Sequence, residues 1–307
     1  MRLRVAAIVL PLALALLSAP LSSDAQRPAK IPRIGILGDT PGTQWETFRQ
    51  GLRDLGYVEG QSIVMESRWS EGRAERFPDL AAELVHLKVD IIVTEGQTAG
   101  RAAKKATSTI PIVMAISGDP VGIGLVPNLA RPGGNITGLS SLWPELAVKQ
   151  MELLKEIVPR LTRLAILWNP AYPLHELALK EIETAARTLR VELQLVEARA
   201  ANEFDNAFLT MTRARAGALI VHANPMFDAQ QRWIADLAVK SGLPAVYNKS
   251  LFSEVGGLMA YGARYLDFFR RAATFVDKIL KGAKAGDLPI EQPTRFELVI
   301  NRASRES

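Results

Sequence analysis

The sequence predicts an α/β fold of two Rossmann-like lobes, each built on a parallel sheet, joined by a three-stranded hinge. Three observations carry this. Strand-like and helix-like segments alternate in two series of nearly the same plan, over residues 33–116 and 163–247. Alternation of that kind argues for parallel sheets covered on both faces. Five of the strands run straight into a small polar or glycine-containing turn, three in the first half and two in the second. Finally, the tail from Gly256 reads as strand, helix and extended segment, which lets the chain cross between lobes twice more.

The elements follow in order. A strand at 33–37 precedes a helix at 43–55 that Gly56 ends, and a strand at 61–67 precedes a helix at 74–88. In that helix Phe77, Leu80, Ala81, Leu84 and Leu87 fall on one face at helical spacing. A strand at 90–94, a helix at 97–106 and a strand at 111–116 complete the first series. A Gly/Pro loop follows, and Ile136–Ser140 is read as an extended segment leaving the first lobe. Pro144 opens a helix to Val158 with Leu146, Met151, Leu154 and Val158 as its apolar stripe. The second series has strands at 163–168, 191–196, 217–221 and 244–247, with helices at 174–189, 203–215 and 228–241 between them. In the tail, Tyr265–Lys281 is a strong helix capped by Gly282, and Phe296–Ile300 is extended. The expected division is residues 31–140 plus 262–290 for the first lobe and 141–261 plus 291–307 for the second. Linkers near 138–142, 259–263 and 289–293 would form the hinge.

In open α/β sheets ligands bind beyond the carboxyl ends of the strands, so the turns are the candidate site. Gly96, Gln97 and Thr98 stand at a helix start, where free N–H groups and the positive dipole end suit a carboxylate. Ordinary helix capping explains them equally well, and Asp39 and Thr40 at the first turn carry the same ambiguity. Asp119 can receive an ammonium group, or serve as the turn residue that Asp before Pro favours. Trp168, Asn169 and Asn224 end strands of the second series and are placed facing the cleft. Tyr247 and Tyr261 are placed near the hinge, where their rings offer stacking area, although each aromatic can equally be core. His222 follows a strand and is a further possible contact; His86 and His175 lie on expected helices.

The N-terminus is a separate unit. Arg2 and Arg4 precede an apolar run to about Leu17, followed by small residues up to Ala25. These are the three regions of a secretory signal cleaved after Ala25. A transmembrane anchor is the competing reading, but the run is short and Pro11 interrupts it. The chain contains no cysteine, which excludes a disulfide framework, thiol catalysis and a lipid anchor on an N-terminal cysteine. An exported, cysteine-free chain fits a bacterial periplasm. Net charge is +5, or +4 once Arg2, Arg4 and Asp24 are removed, and the basic residues alternate with acids on helix faces. That pattern is a solvated surface, not a nucleic-acid patch. Walker A, Gly-x-Gly-x-x-Gly and Gly-x-Ser-x-Gly patterns are missing. No cofactor or metal is expected, and a catalytic role is poorly supported.

Several stretches together resemble the ABC-transporter substrate-binding family that includes bacterial tryptophan-binding proteins. They are Gln50–Gln61, Arg68–Arg73, Thr107–Val113, Ser117–Gly122, Leu129–Gly138, Gly256–Gly262 and Glu291–Asn301. The resemblance implies a type I periplasmic binding fold. It also implies a small-molecule solute in the cleft, an aromatic or branched amino acid first among candidates. An inner-membrane permease with its cytoplasmic ATPase would be the partner, and the protein a monomer. It further implies that the Gly96 loop receives the anionic end of the ligand. Family members continue some tens of residues past the position of Asn301, whereas here a polar Arg302–Ser307 follows. The reading is therefore of a truncated or frameshifted end, whose missing segment would pack on the second lobe. A sensory binding protein that presents its liganded form to a membrane receptor or kinase is the alternative function, and an exported α/β enzyme a third.

Overall fold

Apolar β-branched runs bounded by turns do form the strands, and they assemble into two separate sheets. The computed structural model describes residues 30–172 and 176–301. The expected signal segment, His175 and the tail 302–307 lie outside the described residues. The chain divides into Met1–Ile31 and the body Pro32–Ser307, and the two sheets belong to the latter.

The first sheet has five parallel strands in the order β2-β1-β3-β4-β5. They are β1 (Arg33–Gly38), β2 (Val64–Trp69), β3 (Ile91–Glu95), β4 (Ile112–Ser117) and β5 (Ile136–Ser140). Helices α1 (Thr43–Asp54), α2 (Phe77–His86) and α3 (Gly96–Ala106) connect the first four. The second sheet reads β11-β10-β9-β8-β6-β7. Its strands are β6 (Arg163–Trp168), β7 (Glu192–Glu197), β8 (Ala218–Val221), β9 (Ala245–Tyr247), β10 (Met259–Ala263) and β11 (Phe296–Ile300). All pairs are parallel except β10 with β11. Helix α4 (Trp143–Ile157) leads into this sheet. Within it come α5 (Glu176–Thr188), α6 (Phe204–Arg213), α7 (Pro225–Ala229), α8 (Gln231–Lys240) and α9 (Leu251–Glu254), and α10 (Tyr265–Leu280) leaves it.

Each sheet is clad on both faces, so its central strands are buried throughout, as parallel strands under two helical layers must be. One core layer of the first sheet joins Ile34, Ile36 and Val93 to Trp45 and Phe48 of α1 and to Phe268, Phe269, Phe275 and Val276 of α10. The other layer joins Leu37, Ile92 and Met114 to Phe77, Leu80 and Leu84 of α2. The second sheet is covered likewise, by Phe204, Phe208, Phe227 and Ile234 on one face and by Met151, Leu154 and Ile182 on the other.

Helix α10 thus leaves β10 of the second sheet and packs beside α1 of the first, with Trp45 and Phe269 edge to face at 5.1 Å. The chain then returns along β5, where Glu291 N–H donates to Gly138 and Ser140 N–H donates to Glu291, each at 2.9 Å. It ends as β11 antiparallel to β10. Three segments therefore pass between the sheets, after Ser140, at Ala263–Arg264 and after Glu291.

Three expectations need correction. Ile136–Ser140 pairs with β4 as the fifth strand of the first sheet before the chain leaves it. The second strand is Val64–Trp69 in place of 61–67, because residues Val58–Ile63 close a tight turn through Gln61 and Ser62 N–H bonds to the Val58 carbonyl. The single helix expected at 228–241 is two, because Asn224 caps a separate short helix at Pro225 and Gln230 breaks the run.

Candidate functional site

The carboxyl ends of the two sheets face one cavity of about 150 Å³. From the first sheet it is lined by Asp39, Glu95, Gly96, Gln97, Ser117 and Asp119. Trp143, Tyr172, His222, Asn224, Asp228 and Lys249 come from the second side, and Tyr265 and Phe268 from the start of α10. Local irregularities aim the first set. The β3–β4 register shifts at Thr94/Glu95 and the β4–β5 register shifts between Met114 and Ser117. Bulges of this kind turn side chains out of the alternating pattern.

One end of the cavity is charged. Asp39 accepts hydrogen bonds from the hydroxyls of Ser70 at 2.6 Å and Tyr172 at 3.3 Å, and the second of these crosses from one sheet's loops to the other's. Glu95 Oε1 accepts from the Tyr265 hydroxyl. Lys249 Nζ sits 2.6 Å from Asp228 Oδ2 and 3.6 Å from the centre of the Tyr265 ring. Burial pushes the carboxyls of both Asp39 and Glu95 up from their ordinary values, against the opposing pull of their hydroxyl donors and of Lys249. Three carboxyl groups share one ammonium here, so the electrostatics favour an incoming cationic group. Gly96 begins α3 at φ +81, with open space where a Cβ would lie. Its glycine is required by the left-handed backbone, which presents the helix N-terminus to the cavity.

The other end is neutral. The Trp143 and His222 rings meet edge to face at 4.2 Å. Burial alone pulls the His222 imidazole down to about 3, so it is uncharged at neutral pH. Around the whole cavity, Glu95 Oε2, Ser117 Oγ, Trp143 Nε1, His222 Nδ1 and Asn224 Nδ2 are buried without a hydrogen-bond partner among the described residues. Buried polar groups are ordinarily paired, and each orphan costs about 1–3 kcal/mol. Five residues that carry such atoms line this one cavity, where another molecule can supply partners.

The expected site residues divide. Asp39, Gly96, Gln97, Asp119 and Asn224 line the cavity, whereas Thr40, Thr98, Trp168, Asn169, Tyr247 and Tyr261 do not. Thr40 is exposed beyond the end of β1. Thr98 lies half-buried inside α3. Tyr247 is buried in the core and stacks on Phe252 at 4.3 Å. Tyr261 stacks on Phe296 of the neighbouring strand at 6.1 Å. Asn169 acts indirectly: its Oδ1 accepts from Ala171 N–H and its carbonyl from Tyr172 N–H, both at 2.9 Å, folding the turn that delivers Tyr172. Asp119 Oδ1 accepts from the N–H groups of Val121 and Gly122, so its turn role is real even though it lines the wall. Glu95, Trp143, Tyr172, Asp228, Lys249 and Tyr265 also line the cavity and are not among the residues that the sequence pattern singles out. Glu95 was within reach of the strand-end rule, being the last residue of β3.

The family described as ABC transporter substrate binding protein matches residues 36–307. The chain belongs to this family. Its members are solute-binding proteins, not enzymes. A Tyrosine-binding protein of Clostridioides difficile is 24% identical over 83% of this substrate-binding chain and 73% of its own length. A domain from Streptococcus pneumonia solved in complex with L-Trp superposes with a TM-score of 0.82 at 24% identity, covering 90% of this chain and 93% of the other. A Leucine binding protein from Thermotoga maritima gives a TM-score of 0.62 at 13% identity over 82% and 83% of the two chains. The fold is that of the type I periplasmic binding proteins.

Proposed function

We propose that this substrate-binding protein is an exported receptor of an ABC uptake system. It holds a small molecule between its two sheets and delivers it to an inner-membrane permease with a cytoplasmic ATPase. The observation that carries the reading is the cavity whose walls come from both sheets and whose lining residues carry buried polar atoms without partners among the described residues. The signal-like N-terminal segment supports export to the periplasm. The three crossing segments support a hinge between a lobe of residues 31–140 plus 262–290 and a lobe of 141–261 plus 291–307, acting as a monomer that closes by bending.

The ligand class is an amino acid with an aromatic or branched side chain. Asp39 and Glu95 are placed to receive an ammonium group, and the N-terminus of α3 at Gly96 and Gln97 to receive a carboxylate. Relatives named for tyrosine, L-Trp and leucine support the same class. Asp119 and Asn224 complete the first ring of contacts, with Trp143, His222, Lys249 and Tyr265, while Tyr172 bonds to Asp39 from across the cavity.

A thermal-shift screen of the protein purified after export tests this, using amino acids, purines, small carboxylates and aromatic acids. A ligand at a hundred times its dissociation constant stabilises by about 2.7 kcal/mol, a rise in melting temperature of roughly 5–10 °C. A cooperative melt that no solute moves would overturn the reading.

A further inference from the structure

We propose that Ser117, Trp143 and His222 form a subsite that reads a hydroxyl group on the ligand, at the neutral end of the cavity. The inference rests on the receptor reading above and deepens it. All three side chains line the cavity. They are 1%, 7% and 7% exposed, and Ser117 Oγ, Trp143 Nε1 and His222 Nδ1 have no hydrogen-bond partner among the described residues. Asn224 Nδ2, two residues beyond His222, adds another unanswered donor.

The neutral end is separate from the charged one. Asp39, Glu95, Asp228 and Lys249 act on one another electrostatically, whereas burial alone sets the protonation of His222. Ser117, Trp143 and the neutral His222 imidazole carry no charge themselves, so an uncharged group suits these three atoms, burial of a charge without an ion partner being costly.

The donor inventory then selects the chemistry. Trp143 Nε1 can only donate, so the ligand must accept. Ser117 Oγ and His222 Nδ1 can each give or take a proton in a hydrogen bond. A hydroxyl has one donor and two acceptor positions, so its single oxygen can accept from Trp143 while donating to His222 or Ser117. A ring N–H leaves Trp143 unanswered, and a methyl or phenyl edge leaves all three unanswered. Sites built to bond a hydroxyl reject the analogue that lacks it far more strongly than apolar pockets reject a missing methylene. The wall of Trp143 and His222 is aromatic, which suits a phenol best.

Isothermal titration with matched pairs tests this: L-tyrosine and L-phenylalanine, L-threonine and L-valine, tyramine and phenethylamine, 4-hydroxybenzoate and benzoate. The hydroxyl member of the tightest-binding pair is expected to bind at least about thirtyfold better. That ratio should fall about tenfold in Trp143→Phe, which keeps the ring and removes the donor, and should fall also in Ser117→Ala. Circular dichroism and melting of both variants control for folding. Equal binding within the tightest pair, or a Trp143→Phe variant whose ratio is unchanged, overturns the subsite. If the thermal screen yields a solute without a hydroxyl, the subsite falls and the receptor reading stands; if no solute binds at all, both fall.

Discussion

His222 shows how much a single buried side chain can set. In the folded chain its imidazole is held down to about 3 by burial, against a value of 6.5 when free. Below pH 6.5 the unfolded chain takes up a proton that the folded chain refuses. Stability is therefore present above that pH and drains away as pH falls towards 3, by about 1.4 kcal/mol per unit. Asp39 and Glu95 have the opposite sign. Burial raises their carboxyls, so the folded chain keeps protons that the unfolded chain sheds, and stability falls as pH rises through that window. The His222 effect must be isolated as a difference. Urea denaturation at pH 7.0, 6.0 and 5.0 is expected to show the His222→Asn variant gaining on the parent protein as pH drops. A constant difference would mean that His222 is not buried neutral. At this scale the sequence was only partly legible. A strand-end rule finds Asp39 and Asn224, because position along the chain determines which end of a strand a residue occupies. It does not decide between ligand wall and core for Tyr247 and Tyr261, because the face a side chain takes depends on what packs above and below. Phe252, from a four-residue helix that was not foreseen, and Phe296, from β11, supplied the stacking partners.

Among the elements, strand β5 carries the tightest local constraint. Gly138 lies at φ +132, and a Cβ there would stand 2.1 Å from the carbonyl oxygen of Met114 on the adjacent strand. That contact is backbone and cannot swing aside. Gly138→Ala is expected to cost about 3 kcal/mol or more, since it adds both strain and overlap. Gly96→Ala is the matched control, with a left-handed φ of +81 but open space around the Cβ position, and should cost only about 1 kcal/mol. Chemical denaturation of the two variants measures the difference directly. A Gly138→Ala variant as stable as Gly96→Ala would show that β5 can slide on β4. Elements were the most legible level because their signals are local. Short, continuous apolar runs such as Ile34–Leu37 and Leu164–Leu167 are bounded by polar or turn residues, and α10 repeats large apolar residues at helical spacing. The split of the helix at Pro225–Lys240 was missed although Asn224-Pro225 is itself a start signal, a capping residue followed by proline at the first helical position. The pairing of β5 with β4 was not legible, because Gly138 reads as a breaker until its neighbour is known.

For the whole molecule, the question is what holds the two sheets around the cavity. The Asp39–Tyr172 hydrogen bond joins the β1 turn of the first sheet to the β6 turn of the second. Glu95, Tyr265, Lys249 and Asp228 make a second chain of contacts, from β3 through the head of α10 to the β9 turn. The first of these is the cleaner lever, because Tyr172→Phe removes one hydroxyl and keeps the ring. At 3.3 Å the bond is long, but its acceptor is a buried carboxyl whose other donor is Ser70. If ligand capture requires closure, the apparent affinity carries the free energy of closing. Loss of one charge-assisted bond, about 1.5 kcal/mol, should then weaken every ligand by about tenfold. The unliganded variant should also spend more time open, read as a larger radius of gyration by solution scattering that saturating ligand abolishes. Melting temperature in the absence of ligand should move little, since neither core loses apolar burial. Weaker binding with no change in the scattering of the free protein would instead place Tyr172 in direct contact with the ligand, and would shift the work of closure to Glu95 and Tyr265.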